Sequence, residues 1–242
     1  MEKKEAYRHI LTHFQQPGQA YFVTWNLKGA VPPKALERYT QRLEMLSAEI
    51  SNLRKSSGTA NSDSPKIIKR ELEFSATALT TPVEKLKQEY CLVRKKYIKA
   101  YDDLLDSARN PAFDLSRTGN TEILVQALKF WEGKKLTNLA FSIMHNHVHW
   151  VFELFEKDQE GNPVYLQDIL QSVKRFSANQ INKAENRQGT LWQKESFDTT
   201  IRDEKHLYYA VRYTLNNPVK AGLVSDWRNW KGTWAVTGCS DL

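Results

Sequence analysis

The chain has 242 residues, 40% of them hydrophobic and seven of them Trp, with a formal net charge of +7. That length and apolar share exclude a disordered chain and allow one buried core, alone or with an insertion. The two cysteines, Cys91 and Cys239, exclude a disulfide framework and a cysteine-ligated metal site, and they fit a reducing cytosol.

No apolar run approaches the roughly 20 residues of a membrane span. The segment from Met1 to Ala6 is charged and lacks the apolar centre of a secretory signal, so a cytoplasmic location is expected. The positive balance suits a polyanionic partner.

Residues 1 to 17 read as a polar, amphipathic lead-in. Tyr21 to Leu27 alternates Tyr21, Val23, Trp25 and Leu27 against Phe22, Thr24 and Asn26, the period of a strand. Pro33 opens a helix at its favoured first-turn position. Leu36, Tyr39, Leu43, Leu46, Ile50 and Leu53 then recur at spacings of three and four, a coiled-coil-like stripe. Residues 56 to 65 are rich in Ser, Gly, Asn and Asp and read as a linker, and 66 to 79 as a further helix. Thr81-Pro82-Val83-Glu84 has the form of a capping box. A second stripe follows: Leu86, Tyr90, Val93, Tyr97, Ala100, Tyr101 and Leu104. Residues 33 to 107 thus read as a helical hairpin. Its distal part, 34 to 96, is an insertion into a compact domain formed by 1 to 33 and 97 to 242.

Thr121 to Glu132 is the next expected helix. Two strands then flank a turn at His145-Asn146: Leu139, Phe141 and Ile143 precede it, and His147 to Leu154 follow. Residues 166 to 184 form a helix with Ile169, Leu170, Val173, Phe176 and Ile181 inward, and residues 197 to 202 a last strand. Asp203 caps a final helix, which Pro218 is expected to end. The order strand, helix, hairpin, helix, strand predicts an α+β fold with a ferredoxin-like antiparallel sheet and packed helices, its first and third strands central.

Within this frame, His147 and His149 project from one face of a strand, a ready pair of metal ligands. Tyr213 and Asn217 lie one helical turn apart, so a helix laid on the histidine face brings a phenol and a carboxamide oxygen to the same ion. Two imidazoles and an amide oxygen with open positions suit Mg²⁺ or Mn²⁺. Were there no turn at His145, the trio His145, His147 and His149 would share a face and a zinc hydrolase becomes the reading. Asp198 is a candidate to orient a ligating histidine, or a polar sheet edge. Lys174, Arg175, Arg202 and Lys220 are candidate phosphate contacts, and Trp192, Phe197 and Trp230 candidate base platforms.

Met144-His145-Asn146-His147-Val148-His149-Trp150 resembles the histidine segment of single-tyrosine HUH transposases. Leu191-Trp192-Gln193, Phe197-Asp198 and Ile201-Arg202-Asp203-Glu204 resemble that family's next block. Tyr213 to Val224, with Asn217-Pro218, resembles its tyrosine helix, and Tyr21 to Leu27 its first strand. The matches run in family order over about residues 18 to 30 and 97 to 228. They are most similar to the branch of REP-associated tyrosine transposases. His145 departs from the pattern, standing where the family usually has Pro. The resemblance implies a transposase that cleaves and rejoins single-stranded DNA near hairpins through a 5′-phosphotyrosine at Tyr213, with a divalent ion on His147, His149 and Asn217. A non-catalytic protein that grips nucleic-acid hairpins is the competing class. The sequence leaves the choice between monomer and homodimer open.

Overall fold

The computed structural model describes residues 6–8, 12–14, 16–56, 81–107 and 113–238. By internal contacts the chain divides into two compact units, one of residues 1–30 with 105–242 and one of residues 31–104. The sequence reading set its boundaries at 33/34 and 96/97.

The larger unit is built on a five-stranded antiparallel sheet. Its strands in chain order are β3 (Ala20–Asn26), β4 (Leu136–Ile143), β5 (His147–Leu154), β6 (Phe197–Thr200) and β7 (Thr233–Ala235). A short hairpin of β1 (Ala6–Arg8) and β2 (Thr12–Phe14) precedes them, within the segment read as a lead-in. Across the sheet the order is β6-β3-β5-β4-β7. The first four are the ferredoxin-like arrangement, with β3 and β5 central as expected. The strand β7, which extends the sheet beyond β4, was not foreseen; its three residues are too few to show a period.

Register assigns each strand residue to a face. Trp25 pairs with Val148, Val23 with Trp150 and Tyr21 with Phe152, all buried on one side. The helices α3 (Thr118–Lys129) and α4 (Leu166–Ala184) cover that side through Leu124, Leu128, Ile169 and Val173. On the other side Thr24 pairs with His149 and Phe22 with Val151. There α5 (Glu204–Lys220) packs Ala210, Val211 and Leu215 against Ala140 and Val151. With both faces covered, seven of the eight β5 residues are buried, Glu153 being the exception.

Asp203 caps α5 as expected, its carboxylate accepting from the His206 N–H at 2.7 Å. Pro218 does not end α5: it lies in the last turn, and the helix continues to Lys220. A proline there forfeits only one helical hydrogen bond. The stop comes at Gly222, whose φ of +69° suits glycine, and the Leu223 N–H returns to the Pro218 carbonyl at 2.9 Å.

The smaller unit holds a 3₁₀ turn at Pro33–Leu36, then α1 (Glu37–Ser56) and most of α2 (Pro82–Ser107). The capping box forms: the Thr81 N–H donates to Glu84 Oε2 at 2.7 Å, and the Glu84 N–H to Thr81 Oγ1 at 3.3 Å. Arg42 and Glu89 pair across the two helices at 2.6 Å, and Tyr39 meets Tyr97 edge to face. The linker and helix expected between 57 and 79 lie outside the described residues.

Candidate active site

His147 and His149 open β5 and point to the α5 side, where both are buried. Their Nε2 atoms stand 3.0 Å apart. Hydrogen bonds behind each ring set its orientation. Asn146 Nδ2 donates to the Leu105 carbonyl at 3.1 Å, which turns Asn146 Oδ1 toward His147 Nδ1 at 2.6 Å. That oxygen only accepts, so the network assigns the His147 proton to Nδ1 and leaves Nε2 with its lone pair. Thr24 Oγ1 lies 2.7 Å from His149 Nδ1, across the β3–β5 pairing. Burial pushes His147 down to about 3, helped by the Lys220 charge and opposed by the facing Asn217 amide. Burial and then the neighbouring His147 hold His149 well below its ordinary value. Both rings are therefore neutral near pH 7, the form that ligates metals.

The helix α5 brings the other two groups. The Tyr213 ring meets His149 edge to face at 5.3 Å and Phe22 at 5.8 Å. One turn on, Asn217 is 1% exposed; its amide faces His147 closely enough to act on that ring, but among the described residues neither amide atom makes a hydrogen bond of good geometry. A buried amide left unbonded is costly, and a bound cation would satisfy its oxygen. The histidine spacing fits the same ion: adjacent ligands of an octahedron with bonds of about 2.1 Å lie roughly 3 Å apart. Among the described residues, no three His, Cys, Asp or Glu side chains cluster as a metal site.

His145 stands apart from this pair. It lies in the turn between β4 and β5, and its Nδ1 faces both Asp114 Oδ1 and Ser116 Oγ at 2.9 Å. Its ring packs edge-on against Trp230. The zinc trio needed an unbroken strand, and the turn removes it. Asp198 also lies away from the histidines. It pairs with Val23 and so takes the opposite face, where its charge acts on Tyr21.

The candidate DNA contacts divide. Lys174 Nζ donates to the carbonyls of Gln193 and Lys194, at 2.9 and 3.2 Å, and burial pushes it down to about 8. Arg175 and Arg202 are exposed. Lys220 Nζ lies 5.6 Å from the Tyr213 ring centre and 2.6 Å from Asp106 Oδ2. Trp192 is 5% exposed, packed on Trp25 with its N–H on Ser177, so it belongs to the core rather than to a base platform.

Sequence reasoning missed Asn146, Thr24 and Asp106. Thr24 carried a signal, a polar residue on the inward beat of a central strand. Asp106 carried none, lying in a helix that also holds Asp102 and Asp103.

No family model matches the chain. A curated protein of Haemophilus influenzae, named as a REP-associated tyrosine transposase, is 30% identical over 99 residues, which cover 38% of this chain and 54% of that protein. The chain thus spans about half the length of the curated relative it matches. A solved structure of a REP-associated tyrosine transposase bound to a REP hairpin aligns over 96% of this chain and 82% of that one, with 15% identity and a TM-score of 0.45. Over the matched stretch the chain is related in sequence to REP-associated tyrosine transposases, the branch that its own motifs resemble.

Proposed function

We propose that the chain is a metal-dependent endonuclease and strand transferase acting on single-stranded DNA near hairpins, with Tyr213 as nucleophile. The observation that carries the reading is the meeting of Tyr213 and the unbonded Asn217 amide, on one helix face, with the histidine pair on β5. His147, His149 and Asn217 would hold Mg²⁺ or Mn²⁺. A divalent ion held there would supply Lewis-acid polarisation of the scissile phosphodiester. Tyr213 Oη forms a bond to phosphorus as the bond to the 3′ oxygen breaks. The phenol gives up its proton, the 3′ oxygen gains one, and the 5′ end remains on the tyrosine. The phosphodiester energy is kept in that link, so rejoining needs no nucleotide cofactor.

Exposed Arg175 and Arg202, with Lys220 beside Tyr213, are the phosphate contacts of this reading. Lys174 joins them only if DNA draws it from the two carbonyls. The name of the Haemophilus relative supports the transposase class, and the hairpin in the solved relative supports the substrate. Residues 34 to 96 are read as a separable insertion. Replacing them with a short loop should leave a folded protein that binds Mn²⁺, and aggregation of that protein would show that they belong to the core.

The test is incubation with single-stranded hairpins and Mg²⁺, followed by denaturing electrophoresis and mass spectrometry. A covalent adduct on the peptide carrying Tyr213 is expected. Hairpin binding at every metal concentration without any adduct would favour the non-catalytic binder instead.

A further inference from the structure

The donor set proposed above is neutral: two imidazoles and one amide. A hard divalent cation favours at least one carboxylate, and the nearest is Asp106. Asp106 lies in the last turn of α2, within the unit that carries the sheet. Its side chain is 11% exposed. Oδ2 accepts from Lys220 at 2.6 Å. Oδ1 is buried, has no hydrogen-bond partner among the described residues, and lies 3.9 Å from His147 Nε2.

That contact is not a hydrogen bond. The His147 proton sits on Nδ1, facing Asn146, so two lone pairs confront each other across the 3.9 Å. His149 Nε2 lies 3.0 Å from the same His147 Nε2, so Asp106 Oδ1 and both imidazoles stand near one another. A buried carboxylate oxygen left without a donor is costly. A cation would remove that cost by drawing Asp106 onto the pair, because the three side chains do not already stand as a metal cluster among the described residues. Two ligands each about 2.1 Å from one ion can lie at most about 4.2 Å apart, and 3.9 Å is within that limit. A cavity of about 360 Å³, lined by Asp106, His145, His147 and the turn at Ala221 to Leu223, opens beside this point. It leaves room for water and a phosphate.

We infer that Asp106 is the anionic ligand of the divalent ion held by His147 and His149, and that Lys220 competes with the ion for its carboxylate. The inference rests on the metal-centre reading above. It gives the two partners opposite signs. Asp106→Asn keeps the shape and removes the charge, so Mn²⁺ affinity measured by calorimetry without DNA should fall about 10- to 100-fold, the range seen when groups supporting a metal site are removed. Lys220→Met frees the carboxylate and should raise that affinity several-fold. In the Mn²⁺ resonance spectrum of the wild-type protein, a change on Asp106→Asn is expected as well.

Unchanged Mn²⁺ affinity in Asp106→Asn, with binding lost in His147→Ala, would overturn the role of Asp106 and leave the metal centre standing. Binding unaffected by His147→Ala and His149→Ala would overturn both. Weakening by Lys220→Met as well as by Asp106→Asn would show that the pair only braces the fold, and the Lys220 arm decides the matter even if Asp106→Asn fails to fold.

Discussion

Toward α3 and α4 the strands β3, β4 and β5 present Tyr21, Val23, Trp25, Phe141, Trp150 and Phe152, all buried in one apolar cluster. Toward α5 the same strands present Phe22, Thr24, Ala140, Ser142, His147, His149 and Val151, with a much smaller apolar cluster. On the first face the Trp150 N–H reaches Asn138 Oδ1 at 2.6 Å and the Trp192 N–H reaches Ser177 Oγ, while the Trp25 N–H is buried without a partner among the described residues. On the second, Thr214 Oγ1 and both Asn217 amide atoms are buried without partners of good geometry among the described residues. A strand with one side given to packing can tolerate polar, unsatisfied groups on the other, because the unfolding free energy is drawn from the packed side. What differs is the kind of group left unbonded: an indole N–H on the packed side, and on the other an amide whose oxygen can take a cation.

The sharpest way to break this contrast is at Tyr213. Tyr213→Phe deletes one oxygen on the polar face, and adduct formation should fall below about a thousandth of wild type. Hairpin binding and thermal midpoint should stay as they were, and adduct yield in a denaturing gel decides it. A product mapped to Tyr209 would move the chemistry elsewhere. Tyr209 is 54% exposed and has Tyr213 at its own +4 position, so it has no amide partner.

His147→Ala and His149→Ala come next. Each should lower Mn²⁺ affinity by more than about 100-fold while far-ultraviolet dichroism remains native. Mn²⁺ binding like wild type in both variants would remove the ligand role from this face.

Trp150→Ala tests the opposite side of the same strand. A buried Trp cut to Ala costs about 3–5 kcal/mol. Urea unfolding should show that loss, and Mn²⁺ affinity of the folded fraction should hardly change. A large fall in metal affinity with little loss of stability would mean that the two faces are not separable.

The smallest effect concerns Lys174 on α4. Its ammonium is pushed down to about 8 from 10.5 by burial. A lysine lowered on folding is protonated more in the unfolded chain between those values, so stability rises as pH goes from about 8 to 10.5. Below about pH 8 the cost of burying the charge is fully present. The urea midpoint of wild type should therefore gain on that of Lys174→Met across this window, and parallel curves would exclude it.

The packed face was legible in the sequence. Alternation in Tyr21 to Leu27 and the apolar spacing of α4 gave strand β3 and the bounds of α4, because periods of 2 and 3.6 leave direct traces, whereas α3 begins at Thr118 rather than Thr121. Placing His147, His149, Tyr213 and Asn217 together drew on those periods, on a packing assumption and on the resemblance to single-tyrosine HUH transposases. The rest depended on long-range register. Asp198 falls on the wrong side because it pairs with Val23, and no local pattern around Asp198 contains that fact. Asp106 and Leu105 reach the histidine turn from about 40 residues away in the chain, with the Leu105 carbonyl fixing Asn146. His145 departs from the family's usual proline, and Asp114 and Ser116 hold it in place.

The position of Asn217 has a consequence for timing. The histidines sit on β5, which is bonded to a strand on each side and opens only when the sheet does. Asn217 sits in the last turn of α5, where Pro218 has no N–H to return to the Thr214 carbonyl. Helix ends open locally at far lower free energy than central strands. An ion bound between the two would be released when that last turn loosens. Residence time, and with it the interval for which the phenol is armed, would then be set by one frayed turn of helix rather than by the sheet.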